Sequence, residues 1–356
     1  MTSEYRVGLV GYGGGGRVFH APLIAATPGL QLTSVVTTDP ARRAQLAADH
    51  PGTAVLDSID DLLEGGIDLV VISTANRTHA ELALTAIAAG VPVVVDKPFA
   101  ASVADAQRVV VAAEDRGVAL TVFQNRRWDG DFLTVRRLVE QGRLGRVHRF
   151  ESRFERWLPQ LRNRWRESPA PQDAGGLLYD LGAHLIDQAI VLFGPVAATY
   201  AELDTRRPGA QIADDVFVSL RHDNGCRSHL WASALVAKNG PRFRVLGDQA
   251  GYVKYGMDPQ EDALISGQRP GDPGWGEDPD IEWGSLGIGA GTEPIETEHG
   301  AYECFYAAVA AALQDGTPMP VEPASSVYAL QIIEAALESS HTRKTVTPQR
   351  PQDHFA

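Results

Sequence analysis

Cysteine is almost absent from this chain of 356 residues: Cys226 and Cys304 are the only two. They lie far apart and outside any metal-type spacing. That argues against a disulfide framework of the secreted kind and against a metal site, and it points to a reducing compartment, the cytoplasm. Positive charge is also scarce, with 32 Lys and Arg against 45 Asp and Glu for a formal net charge of -13. So acidic a surface repels phosphate backbones and anionic bilayers, and neither nucleic acid nor membrane is an expected partner. A small molecule held in a cleft is compatible with it. No apolar stretch approaches the ~18–20 residues that span a bilayer. Met1 to Arg6 shows no basic segment leading into an apolar one, so no export signal is read. Internal repeats and low-complexity tracts are missing too.

What is present is an ordinary globular composition, 44% hydrophobic and 22% charged, in a chain long enough for two domains. Short β-branched runs occur at Arg6–Val10, Leu32–Val36, Asp68–Ile72, Val91–Val95 and Ala119–Phe123, separated by helical patterns such as His79–Ala89. That rhythm predicts a Rossmann-type doubly wound parallel sheet over residues 1–124. Beyond Asn125 the period changes. After a helix at Phe132–Glu140, alternating runs appear at Phe150–Glu155, Val216–Leu220, Cys226–Leu235, Phe243–Leu246 and Tyr252–Tyr255. They predict an α+β domain over 125–345 with a large, mostly antiparallel open sheet, then a tail over 346–356. The fold class is therefore α/β. Met257 to Gly300 reads as long loops, and helices are expected at Tyr302–Leu313 and Ser325–Ser339.

Directly after the first strand, Gly11, Gly13 and Gly16 supply G-x-G-x-x-G, with Tyr12 inside the turn and Arg17 just beyond it. The first glycine permits the tight turn, the second lets backbone approach a pyrophosphate, and the third allows helix–strand packing. A flexible glycine loop is the bland alternative, but the strand before it and the helix after it supply the context that dinucleotide binding requires. The second strand runs out through Thr37 and Thr38 to Asp39-Pro40, with Arg42 and Arg43 behind. Hydroxyls and a guanidinium suit a 2′-phosphate, which favours NADP. Asp39 keeps NAD possible, unless it only starts the next helix.

Two further features carry chemistry. Asp96-Lys97-Pro98 ends the fourth strand, at the carboxyl edge where open α/β sheets bind ligands, although a solvated loop lysine is the usual fate of that residue type. In Gly175–Asp187, Asp180 and His184 are spaced to share one helical face about 6 Å apart. A histidine alone on a helix is more often structural. Its carboxylate companion, the preceding glycine pair and Lys97 reverse that preference.

With these motifs and Thr74-Ala75-Asn76-Arg77-Thr78-His79, nearly the whole chain resembles the glucose–fructose oxidoreductase/inositol dehydrogenase (Gfo/Idh/MocA) family. Phe19-His20-Ala21-Pro22 and Gln124–Asp129 are similar to its NADP-linked scyllo-inositol dehydrogenase branch. Two positions depart from the family pattern: Asp96 stands for a glutamate and Ala75 for a proline. The resemblance implies hydride transfer between a nicotinamide and a secondary alcohol or ketone of a cyclitol or sugar. It implies His184 as base, Lys97 as electrostatic stabiliser and Asp180 as orienting group, with Lys97 and His184 able to exchange roles. Thr74, Asn76, His79, Asp96 and Asn125 would line the cofactor pocket. Residues around Arg153, Trp157, Arg164 and Trp165 would select the substrate. A homodimer or homotetramer is expected, because an open sheet face needs cover. The alternative function is a nicotinamide-binding sensor without turnover.

Overall fold

Each of the five apolar runs in the first third of the chain becomes a buried strand. The computed structural model describes residues 4–162 and 165–349. Its first part runs β1 (Tyr5–Val10), α1 (Ala21–Ala26), β2 (Leu30–Val36), α2 (Pro40–Asp49), β3 (Ala54–Leu56) and α3 (Ile59–Glu64). It continues through β4 (Leu69–Ile72), α4 (His79–Ala88), β5 (Val93–Asp96), α5 (Val103–Arg116) and β6 (Leu120–Phe123). The strands form a six-stranded sheet in the order β3-β2-β1-β4-β5-β6, parallel throughout. Covered on both faces, Leu69 to Ile72 and Val93 to Val95 are wholly buried. Each such side chain contributes about 1.5–3 kcal/mol.

Local chemistry sets the helix ends. Ser58 and Asp61 form a capping box on α3, Ser102 caps α5, and Gly117 closes α5 in the left-handed region at φ 61. The edge strand β3 escapes the sequence pattern because it has three residues and both Ala54 and Val55 are exposed.

The second part adds α6 (Gly130–Glu140), β7 (Val147–Glu155), α7 (Ala183–Phe193), β8 (Val196–Asp204), β9 (Asp215–His222), β10 (Arg227–Ser233), β11 (Phe243–Gly247) and β12 (Gly251–Lys254). Next come α8 (Gln260–Ser266), β13 (Gly284–Ile288), β14 (Gly291–Ile295), α9 (Glu303–Asp315) and α10 (Pro323–Thr342). The sheet order is β14-β13-β12-β11-β7-β10-β9-β8, antiparallel except where β7 and β10 run parallel. On its inner face Phe150, Ser152 and Phe154 of β7 are buried, and Phe193 of α7 packs 5.4 Å from Phe150.

The chain forms two compact units. The first comprises Met1–Asn125 with Gln260–Trp275 and Ala301–Ser326; the second comprises Arg126–Pro259, Gly276–Gly300 and Val327–Ala356. Within the first, Thr121 Oγ1 donates to the Val321 carbonyl (2.8 Å) and accepts from its N–H (3.3 Å). The stretch expected as loops, Met257 to Gly300, contains α8, β13 and β14. Glycines and Pro294 hid the strands, since β14 is an exposed edge where proline is tolerated. The expectation that no apolar stretch approaches bilayer length also needs correcting. Pro171–Phe193 is long and apolar enough to span a bilayer, but 72% of its apolar window is buried within the fold, as in a core helix.

Candidate active site

The glycine turn leaves the carboxyl end of β1, at the switch point between β1 and β4. Gly11 has φ +100, and a methyl group there would meet the Ser73 carbonyl oxygen at 2.3 Å; one on Gly16 would meet the Gly11 carbonyl oxygen at 2.0 Å. The protein's own backbone requires glycine at both. Gly13 and Gly14 differ. The nearest atoms to a methyl on Gly13 belong to the Arg42 guanidinium, 3.9 Å away, and Gly14 has nothing within 4 Å. The space a side chain would fill is open, and that is the fit a pyrophosphate needs. Gly15–His20 then winds as a π-helix, a conformation frequent at functional sites, and runs into α1.

Tyr12 and Arg17 are engaged elsewhere. The Tyr12 side chain is buried, and its hydroxyl donates to Asp49 (3.0 Å), to which Arg17 Nε also donates (2.7 Å). The Arg17 hydrogen bond lowers the pKa of Asp49, while burial raises that of Tyr12.

At the end of β2, Thr37 is buried and Thr38 exposed. Asp39 caps α2, accepting from the N–H groups of Ala41 (2.8 Å) and Arg42 (3.2 Å), so it has the helix-starting role. Arg43 donates to the Thr37 carbonyl (2.9 Å) and pairs with Asp57. Of the two arginines, Arg42 faces the glycine turn, with its Nε 3.6 Å from Asp39 Oδ2.

Asp96 is the last residue of β5, and the Lys97–Pro98 bond that follows is cis. The Asp96 carboxylate accepts from Lys97 N (2.8 Å) and from Ser73 Oγ (3.0 Å). A methyl on Gly15 would lie 2.7 Å from Asp96 Oδ2, so carboxylate and glycine turn abut. Burial pushes the Asp96 pKa up, but His20, Lys97 and His79 outweigh it and hold the group below the usual carboxylate range. His79 is buried between two turns, with Nδ1 2.9 Å from the Pro98 carbonyl oxygen and Nε2 3.3 Å from that of Thr74. Desolvation lowers its pKa. The Thr74 hydroxyl lies 2.7 Å from that of Thr78. Asn76 and Asn125 are buried, each opening a short 3₁₀ turn, and Lys97 is half-buried.

In the second unit, Asp180 lies in the π-helical turn Leu178–Gly182 and His184 in the α-helix that begins at Ala183, so the segment is not α-helical throughout. Asp180 is part-exposed and lies 3.4 Å from Arg166 Nε. His184 is buried, its ring 6.2 Å from Phe154, over which the Arg126 and Arg242 guanidiniums sit at 4.9 and 4.2 Å. Three residues on, Asp187 accepts from Arg127 at 2.6 and 2.8 Å and anchors the same helix.

Among the residues expected to select substrate, Arg153 lies on the outer sheet face, paired with Glu151 and stacked 4.1 Å over Trp231. Trp157 is exposed, Trp165 lies under the Arg166 guanidinium, and Arg164 falls outside the described residues. Sequence reasoning missed Ser73 and Arg166 as neighbours of Asp96 and Asp180. Ser73 had one signal, its place directly after a buried strand. Arg166 had none.

Residues 5–124 match the family model described as oxidoreductase family, NAD-binding Rossmann fold, and residues 136–347 match its C-terminal alpha/beta domain. The chain belongs to the Gfo/Idh/MocA oxidoreductase family, and residues 5–124 are an NAD(P)-binding Rossmann domain. It is 41% identical over 351 residues to an uncharacterized oxidoreductase, YdgJ, of Escherichia coli, covering 97% of this chain and 99% of that protein. It is 34% identical over 346 residues to scyllo-inositol 2-dehydrogenase (NADP(+)) IolW of Bacillus subtilis, covering 96% and 95%. A solved oxidoreductase of Bacillus cereus superposes with a TM-score of 0.87 at 28% identity, over 98% of this chain and 99% of that one.

Proposed function

We propose that the protein interconverts a secondary alcohol and a ketone on a cyclitol or sugar ring, with NADP as cofactor and scyllo-inositol as the leading candidate substrate. The observation that carries this reading is the open space over Gly13 and Gly14 beside the Arg42 guanidinium. Backbone at Gly13 and Gly14 would hold the pyrophosphate, and Arg42 with Thr38 would hold the 2′-phosphate. The similarity to IolW supports the same cofactor and substrate class. When bound, the nicotinamide supplies the hydride acceptor. Lys97, as ammonium, stabilises negative charge on the reacting oxygen. His184 takes the hydroxyl proton, and Asp180 orients the ring.

The test is steady-state turnover on a polyol panel beginning with scyllo- and myo-inositol, with NADP and NAD side by side. Lys97→Ala and His184→Ala are expected to lower kcat by about 10²–10⁴-fold. Near-wild-type turnover in both would sink the assignment. Cofactor binding with no turnover on any polyol would favour the sensor alternative.

The outer face of the eight-stranded sheet carries Phe217 and Trp231 with rings 5.2 Å apart, beside Glu151 contacted by Arg149, Arg153 and Arg244. We assign it to self-association as a homodimer or homotetramer, in the cytoplasm; a monomer by light scattering at micromolar concentration would refute that assembly.

A further inference from the structure

His20 ends the π-helical turn that follows the glycines, and it is wholly buried. Its ring packs 4.3 Å from Phe123, where an apolar side chain would fill the space equally well. Yet both its nitrogens face polar groups. Nδ1 lies 2.6 Å from the Tyr306 hydroxyl of α9. Burial holds Tyr306 well above its ordinary pKa, so it is a phenol with a proton to donate. With Nδ1 accepting, a neutral imidazole carries its proton on Nε2. Nε2 lies 3.5 Å from Asp96 Oδ2, a charge-pair contact just outside hydrogen-bond geometry, and among the described residues it makes no hydrogen bond elsewhere. Burying such a group costs free energy unless its polar atoms are used.

We infer that His20 is a positioning residue: oriented by Tyr306, it holds the Asp96 carboxylate where it receives Lys97 N and Ser73 Oγ and abuts the glycine turn. A chain of contacts thus leads from α9 through His20 to the backbone of Lys97, all within the first unit. Its consequence for turnover rests on the proposed role of Lys97; the contact chain itself does not. The titratable groups facing Asp96 are His20 from the π turn, His79 from α4, the adjacent Lys97, and Tyr306 from α9.

The test is carbon-13 NMR titration of the aspartate carboxyls in the full-length protein, with Asp96 assigned through Asp96→Asn. In the wild type Asp96 should remain ionised below the ordinary value of about 3.9, and His20→Phe should raise its midpoint by about one unit or more. His20→Gln keeps an N–H donor and should restore most of the difference. Tyr306→Phe removes one oxygen and should move the midpoint in the same direction by less. A folded His20→Phe with an unmoved Asp96 titration overturns the inference, as does His20→Gln shifting as far as His20→Phe. If His20→Phe does not fold, an unmoved Asp96 in Tyr306→Phe overturns it. The readout needs neither substrate nor cofactor. A protein inactive on every alcohol would therefore refute the proposed function and leave this measurement standing.

Discussion

His79 joins the Thr74 turn to the cis Lys97–Pro98 turn, its Nδ1 2.9 Å from the Pro98 carbonyl oxygen and its Nε2 3.3 Å from that of Thr74. A neutral imidazole has one proton to give, so only one of these contacts is a hydrogen bond at any moment.

The buried state of His79 sets a pH dependence. Desolvation lowers its pKa in the fold, and burial does the same to His222. The unfolded chain takes up protons near the ordinary value of 6.5, while the fold resists them. Stability is therefore full above that pH and is lost as pH falls toward the depressed folded values. Urea midpoints at about pH 7.5 and 5.5 should show the fall, and His79→Gln should flatten it. An unchanged slope in that variant would contradict the account.

The glycines should separate by function. Gly13→Ala meets no protein atom closely and should leave stability within about 1 kcal/mol, while NADP affinity drops by about tenfold or more. Gly16→Ala drives a methyl into the Gly11 carbonyl oxygen and should cost about 1–3 kcal/mol or more. Thermal melts paired with nicotinamide fluorescence titrations read both quantities.

Arg42 and Arg43 should differ in the same way. Arg42→Ala should weaken NADP binding by about tenfold, close to 1.4 kcal/mol, with NAD changed by less than about twofold. Arg43→Ala should leave the NADP/NAD ratio alone, since that side chain is committed to Thr37 and Asp57. Equal losses for both cofactors in Arg42→Ala would argue against a 2′-phosphate contact.

The Arg127–Asp187 pair is bidentate, and Asp187 is buried on the helix that carries His184. Asp187→Ala removes the carboxylate that a largely buried guanidinium grips through two hydrogen bonds and should cost about 3–5 kcal/mol. Arg127→Met combined with Asp187→Leu should recover much of that loss in denaturant unfolding.

Much of this was legible in the residues themselves. Buried parallel strands announce themselves as β-branched runs, and the glycine turn and Lys97 fall where such strands end. The second sheet showed through period-two alternation at Phe150, Ser152 and Phe154. Legibility failed where local pattern and environment part company. β13 and β14 are short and glycine-bearing, β14 is an exposed edge strand carrying Pro294, and β13 pairs with β12 some thirty residues earlier. The π-helical turns at Gly15–His20 and Leu178–Gly182 look helical in sequence, because five-residue bonding leaves little trace in apolar spacing.

By itself the sequence determined that a Rossmann sheet opens the chain, that a glycine turn follows its first strand, and that Asp96, Lys97, Asp180 and His184 are the chemistry-bearing residues to examine. Those follow from short-range physics: strand and helix periods, glycine's freedom at φ > 0, and residue chemistry at strand ends. Only the tertiary structure decided which arginine faces the turn, that Asp39 is spent on a helix cap, and that Tyr12 and Arg17 share Asp49. It also decided that Tyr306, from α9, reaches through His20 to Asp96. These are contacts between side chains tens to hundreds of residues apart, or choices between neighbours, and packing rather than local propensity settles them.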